Sequence, residues 1–164
     1  QMVEALGRVE VDEPEFLGKP ILNKGFGVIF GPGRKRRNFV SARDMAPFAA
    51  MALVGDELLG RALDIGGPDN ISNSDVAAMY VLRSKQGRVF HAPPGIARIG
   101  AQIVRPFHEG IARVLEIAAV PDEDWPETFD AAPLLAEFPR KLTTVEQFVE
   151  ERIRDWRRSR VGRR

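Results

Sequence analysis

Short apolar runs bracketed by glycine and proline alternate along this chain with stretches of helical period, and that alternation restricts it to an α/β architecture. The first run lies in GFGVIFGPG (25–33), where Val28, Ile29 and Phe30 predict a short strand or extended arm closed by a tight turn at Gly31-Pro32-Gly33. RKRR follows at 34–37, and NFVSA (38–42) predicts a second brief strand. A helical pattern then runs from Asp44 through Leu53, with Pro47 tolerated in the first turn and Ser41 or Asp44 placed to cap it. RALDIGG (61–67) predicts a strand ending at a Gly-Gly-Pro turn. Ser72 or Ser74 opens a helix with Val76, Ala77, Met79, Tyr80 and Leu82 spaced for one buried face, and Gly87 ends it. RVFHA (88–92) predicts a strand, stopped by Pro93-Pro94.

The remainder is helical. Residues 96–120 carry a helical pattern interrupted at Pro106, which predicts helices over about 95–105 and 107–119. PDEDWPETFD (121–130) reads as an acidic surface loop, and 133–137 as a short helical turn. Thr143 or Thr144 caps a last helix through Val145, Phe148, Val149, Ile153 and Trp156, with Thr143 and Glu146 at capping-box spacing. Residues 1–24 read as a short helix or its end, then a loop. The sheet is small for an α/β protein, so the helices are expected to cover one of its faces well and the other poorly.

With 164 residues, 44% hydrophobic and 29% charged, the chain has room for one domain with a real core. A net charge of +1 gives no case for a specific nucleic-acid partner. The absence of cysteine excludes disulfides, zinc–thiolate sites and a thiol nucleophile. No apolar run approaches the roughly 18 residues that span a membrane. The charge is unevenly placed: seven arginines lie at or beyond Arg152, while the preceding 151 residues carry 17 bases and 22 acids. The basic end, 156–164, reads as a solvated tail continuing the last helix; the sharper alternative is a weak phosphate or anionic-surface contact.

Searching for chemistry yields little. The glycines at 25, 27, 31 and 33 miss the GxGxxG spacing of a dinucleotide fingerprint and lead into RKRR and a strand, not a helix N-terminus. Tyr80, the single tyrosine, has Ser84 four residues on and Lys85 five on, out of register for a Tyr-x-x-x-Lys pair, and reads as a packing residue. His91 and His108 have no ligand at metal spacing and read as structural histidines. The acids at 122–130 lack the glycine and alternation of a calcium loop. RKRR suits an anion, although a solvated tip is the plainer reading. Arg37 differs because it abuts the apolar strand and is placed to reach along it toward a cleft. No catalytic residue and no metal ligand emerges.

Three landmarks in order carry a resemblance: GPGRKRRNFVSARDMAPFAAMAL (31–53), GRALDIGGPDNISNSDVA (60–77) and PRKLTTVEQFVEERI (139–153). Together they resemble the C-terminal half of atypical and extended short-chain dehydrogenase/reductase proteins, especially the NmrA-like NAD(P)-binding group. Arg43-Asp44-Met45-Ala46, Ala62 to Pro68, and Ser72 to Ala77 carry the match, which covers about residues 20–155. The resemblance implies the C-terminal portion of a Rossmann-like doubly wound fold, with a small mixed or parallel sheet and a helical C-terminus. It implies that residues 1–155 are the substrate-side part of an NAD(P)-binding domain whose N-terminal part is missing. The family's glycine turn, ribose-selecting residue and Tyr-x-x-x-Lys pair are absent here, so the cofactor, NAD(P), would be held by that missing part. Arg37 matches an arginine that contacts substrate phosphate in sugar-nucleotide members. Met2 and Phe39 are implied to line the substrate cleft, Asp44 to cap a helix and anchor the substrate lobe, and Gly66, Gly67 and Pro68 to form a structural turn.

The function implied is the substrate-side half of an NAD(P)-dependent oxidoreductase acting on a small-molecule substrate in the cytoplasm, inactive alone. Three alternatives stay open: a non-catalytic NmrA-like regulator that senses the dinucleotide and binds another protein, a sugar-nucleotide epimerase or dehydratase, and a free-standing small binding domain. The last follows from the chain alone; a half-sheet with an exposed edge is expected to dimerise or aggregate.

Overall fold

In the computed structural model, the described residues are 13–54, 56, 58, 60–119 and 128–161, so Met2 and most of the acidic 121–130 loop lie outside them. The chain is α/β. In order, the described elements are α1 (Glu13–Lys24), β1 (Phe26–Phe30), β2 (Arg36–Phe39), α2 (Ala42–Val54), β3 (Asp69–Ser72), α3 (Asn73–Ser84), β4 (Arg88–Ala92), α4 (Pro94–Val104), α5 (Glu109–Ala118), α6 (Ala132–Glu137) and α7 (Val145–Val161). The strands form two pairs: β1 with β4, parallel, and β2 with β3, antiparallel.

The parallel pair carries the core on one face. Phe26, Val28 and Phe30 stand opposite Arg88, Phe90 and Ala92, and Gly27 and Ile29 opposite Val89 and His91. Gly27 and Ile29 are buried. Helices α1 and α3 rest on this pair, and α7 packs on both helices. Ile21 and Leu22 of α1, Ile29 of β1, Phe39 of β2, Val76, Ala77 and Tyr80 of α3, and Val145, Val149 and Ile153 of α7 form one continuous buried cluster. On the other face Phe26, Val28 and Phe90 are exposed. This matches the one-sided cover that the sequence pattern implies.

Helix ends follow from local chemistry. Ser72 caps α3 by accepting from the Asp75 backbone N–H, and Lys85 closes it in the left-handed region at φ 58°. Gly25, at φ 76°, closes α1 by donating its N–H to the Ile21 carbonyl. Helix α1 continues past Pro20 to Lys24, whereas the sequence predicts only a helix end and a loop. Pro20 removes a backbone donor from the ladder. Ile21 and Leu22 hold the final turn by inserting into the core.

Three further expectations are corrected. Residues 61–67 are not a strand; β3 begins only at Asp69. Leu63 and Ile65 line an apolar cleft beside α2, so their side chains serve packing while the ladder to β2 is made downstream. Leu82 points to solvent at 75% exposure; Val76, Ala77 and Tyr80 fill the buried arc of α3. The box that caps α7 is Thr144 with Gln147. The Thr144 hydroxyl accepts from the Gln147 N–H and the Gln147 side chain accepts from the Thr144 N–H, both at 3.2 Å. The arginine-rich end is helical through Val161, with Arg152 over the Phe148 ring and Arg160 over the Trp156 ring, each at 4.9 Å.

Ile21→Ala removes a fully buried side chain at the meeting point of α1, α3 and α7, and is expected to lower unfolding stability by about 2–5 kcal/mol. Leu82→Ala should stay within about 0.5 kcal/mol, as for other exposed positions. Urea unfolding of the two variants checks the contrast.

Candidate functional site

In parallel sheets, ligands gather at the carboxyl ends of the strands. Here β1 ends at Phe30 and β4 at Ala92, side by side. The Gly31 N–H donates to the Ala92 carbonyl at 2.8 Å, and the His91 ring Nδ1 lies 3.1 Å from the Gly31 carbonyl oxygen. Gly31 and Gly33 both have positive φ, at 85° and 59°, which the turn requires. The Ser74 N–H donates to the Gly33 carbonyl and its hydroxyl to the Pro32 carbonyl, so the turn is fastened to the start of α3. A Cβ at Gly33 would stand 2.7 Å from both Ile29 and Ser74. The turn then feeds Arg34 and Lys35 into β2. The turn is followed in the chain by a strand and not by a helix, so it lacks the strand–turn–helix order of a dinucleotide fingerprint.

Strand β2 carries Arg37 and Phe39 two residues apart, on one face. Phe39 is 7% exposed within the core cluster, and it also borders a small cleft with Ser41, Thr143 and Phe148. Arg37 is half-buried, opposite Ile71 of β3. On the alternate positions lies Asn38, which the sequence reading passed over. Its side-chain oxygen accepts from the Gly67 N–H at 2.7 Å; its amide donates to the carbonyls of Gly67 and Asp69 and to the Asn70 side chain. Asn70 in turn accepts from the Phe129 N–H and donates to the Phe129 carbonyl. This network lays the Gly66–Gly67 turn against β2. A Cβ on Gly66 would fall 2.2 Å from the Phe129 ring, and one on Gly67 would fall 1.8 Å from the Phe39 carbonyl oxygen. Pro68 is exposed. Asn70, two residues after Gly-Gly-Pro, is the one local signal of the network, since Asn38 lies 29 residues before Gly67.

Two carboxylates hold the approach to α7. Asp44 accepts the Thr143 N–H at 2.6 Å and the Thr143 hydroxyl at 3.1 Å, and Asp69 accepts the Val145 N–H at 2.8 Å. Acids suit the orphan donors and dipole of a helix start. Asp44 therefore anchors a distant segment, while Ser41 supplies the acceptor at the start of α2. Nearby, Arg43 donates to Glu151 at 2.7 Å, and this hydrogen bond holds the Glu151 carboxyl below its ordinary range.

Beside α2 lies an apolar cleft of about 710 Å³, walled by Met45, Phe48, Ala49 and Leu53 of the helix and by Leu63 and Ile65. Its volume is that of a small-molecule pocket. Arg61 is the one charged side chain on its wall among the described residues, and it pairs with Glu137 at 2.7 Å. Among the described residues the wall carries no carboxylate, hydroxyl or imidazole, and its lining suits an apolar group. No cluster of potential metal ligands is found among the described residues. Nor is any helix there long and apolar enough to cross a membrane. Comparison with family models, curated proteins and solved structures found no match to this chain.

Gly67→Ala must push β2 away from its neighbour and is expected to destabilise by about 1–3 kcal/mol. Asn38→Ala strips the Gly67 N–H of its acceptor, with a similar expected loss of about 1–3 kcal/mol. Gly95→Ala, where a Cβ meets open space, should be tolerated in the same thermal and urea melts. For Glu151 the folded carboxyl is the stronger acid, so its contribution exists above the unfolded pKa and fades as pH falls through the lowered folded one. Arg43→Ala should raise the Glu151 midpoint toward the ordinary value, read by NMR titration of the side-chain carboxyl.

Proposed function

We propose that the chain is the substrate-side portion of an NAD(P)-dependent oxidoreductase of the short-chain dehydrogenase/reductase superfamily, working in the cytoplasm on a small-molecule substrate. In this reading, further α/β structure extends the β1–β4 sheet, covers its exposed face and holds the dinucleotide. The observation that carries the reading is the parallel pair itself. Parallel strands occur in sheets covered on both faces, yet Phe26, Val28 and Phe90 are exposed. The apolar cleft supports the same division of labour, since the described residues of its wall offer an apolar lining for a substrate. Arg37 and Met2 are the residues assigned to the substrate, with Arg37 suited to an anionic group through its fixed charge. Phe39 keeps a structural role.

Calorimetric titration with NADPH and NADH tests the reading. The 164-residue chain alone should bind neither, while the product of a longer reading frame containing it should bind one of them at one equivalent and oxidise or reduce a carbonyl or hydroxyl compound. Stoichiometric dinucleotide binding by the 164-residue chain overturns the division proposed. Dinucleotide binding by the longer product without turnover of any substrate points to a sensor rather than an enzyme.

A further inference from the structure

Helices α4 and α5 form a hairpin that packs chiefly on itself. The seam between them is made of small residues: Ala97 and Ala101 on α4, and Ala112 and Ala119 on and just after α5, are all buried, and Gly100 approaches Leu115. The large apolar residues point elsewhere. Ile96, Ile99 and Ile103 recur at helical spacing on α4, and Ile111, Val114 and Ile117 on α5, all between 38% and 65% exposed. The helical angles put both rows on one side of the hairpin, because the helices run antiparallel and each row lies about a third of a turn from the shared seam. The charges take the opposite side. Arg105 reaches across to Glu116, and Arg113 pairs with Glu109 at 2.6 Å along α5.

We propose that this face is a self-association surface that seats the same hairpin of a second copy of the chain, giving an antiparallel four-helix contact with two-fold symmetry. Three observations select that occupant. The six aliphatic side chains, with exposed Phe107 at the connecting turn, present on the order of 800 Å² of apolar surface, which is what one partner contributes to a stable interface and more than a typical monomer leaves bare. Two parallel rows of branched residues on a two-helix plane are self-complementary under a two-fold axis. The plane itself carries no charge, so two identical faces meet without repulsion. A helix lying on an anionic membrane needs an excess of Lys and Arg on its polar side; here Arg98, Arg105 and Arg113 are offset by Glu109 and Glu116, with two of the three arginines paired to those acids.

The absence of cysteine makes the test clean. Sedimentation velocity over a concentration series should give a dimer for the wild-type chain and a monomer for the double variant Ile99→Asp/Ile103→Asp, whose exposed positions leave the monomer's circular dichroism unchanged. Ile99→Cys, midway along α4 and so nearest the two-fold axis of an antiparallel contact, should form a disulfide-linked dimer under mild oxidation, whereas Arg98→Cys, on the charged side, should not. The proposal is overturned if the wild-type chain is monomeric, if self-association survives the double aspartate variant, or if both cysteine variants cross-link equally. Co-flotation of the wild-type chain with phosphatidylcholine vesicles, lost in the aspartate variant, also overturns it, because the occupant would then be lipid.

Discussion

Ile21, Ile29, Tyr80 and Val149 come from four different elements and meet in one dry volume on a single face of the β1–β4 pair. The rest of the architecture depends on that one-sided burial. It carries α1 past a proline, sets α3 and α7 side by side, and fixes which residues of β1 look inward. Arg83 strengthens the α3–α7 contact by pairing with Glu146 and Glu150, and the Arg157 guanidinium donates to the Arg83 carbonyl. These pairs are partly exposed and add little beside the hydrophobic term. The arrangement leaves Phe26, Val28 and Phe90, on the other face of the pair, exposed.

Polar side chains decide how the second layer joins the first. Asn38 satisfies both the N–H and the carbonyl of Gly67, so two glycines can lie against β2 without leaving buried backbone groups unpaired. Asp44 and Asp69, from a helix and a strand, accept backbone N–H groups two residues apart, Thr143 and Val145, where α7 starts. Each is a long-range tie in a short chain, and each closes a loop whose entropy would otherwise favour opening. The apolar cleft beside α2 exists because Leu63 and Ile65 are held there by the Gly66–Gly67 clamp and not drawn into a ladder.

Much of the local structure was legible. Strand β4 occupies the predicted residues 88–92, and Ser72 caps α3 as its position implies. Such features depend on neighbours within a few positions, which a pattern of β-formers, glycines and hydroxyl residues encodes directly. The overlapping sequence TTVEQ offers two capping boxes, Thr143 with Glu146 and Thr144 with Gln147. Local chemistry cannot choose between them; Asp44, 99 residues away, takes the Thr143 N–H and hydroxyl and leaves Thr144 to cap. The strand expected at 61–67 was misplaced for the same reason, because Asn38 and Asn70 set the register from outside the segment. Phe39, placed at a cleft by its position in a motif, is part of the core cluster and borders a small cleft at the start of α7.

By itself, the sequence determined the α/β class, the order of the elements, the lack of thiol chemistry and the shortage of any acid–base pair. Those follow from composition and from periods of two and 3.6 residues, which are properties of the chain read locally. Only the tertiary structure decided which faces stay uncovered. Helical spacing marks Ile96, Ile99 and Ile103 as a face, and it would read the same whether that face met a neighbouring helix or solvent. The seam between α4 and α5 is filled by alanines that allow close approach, and the isoleucines are left outside because nothing else in the described fold reaches them.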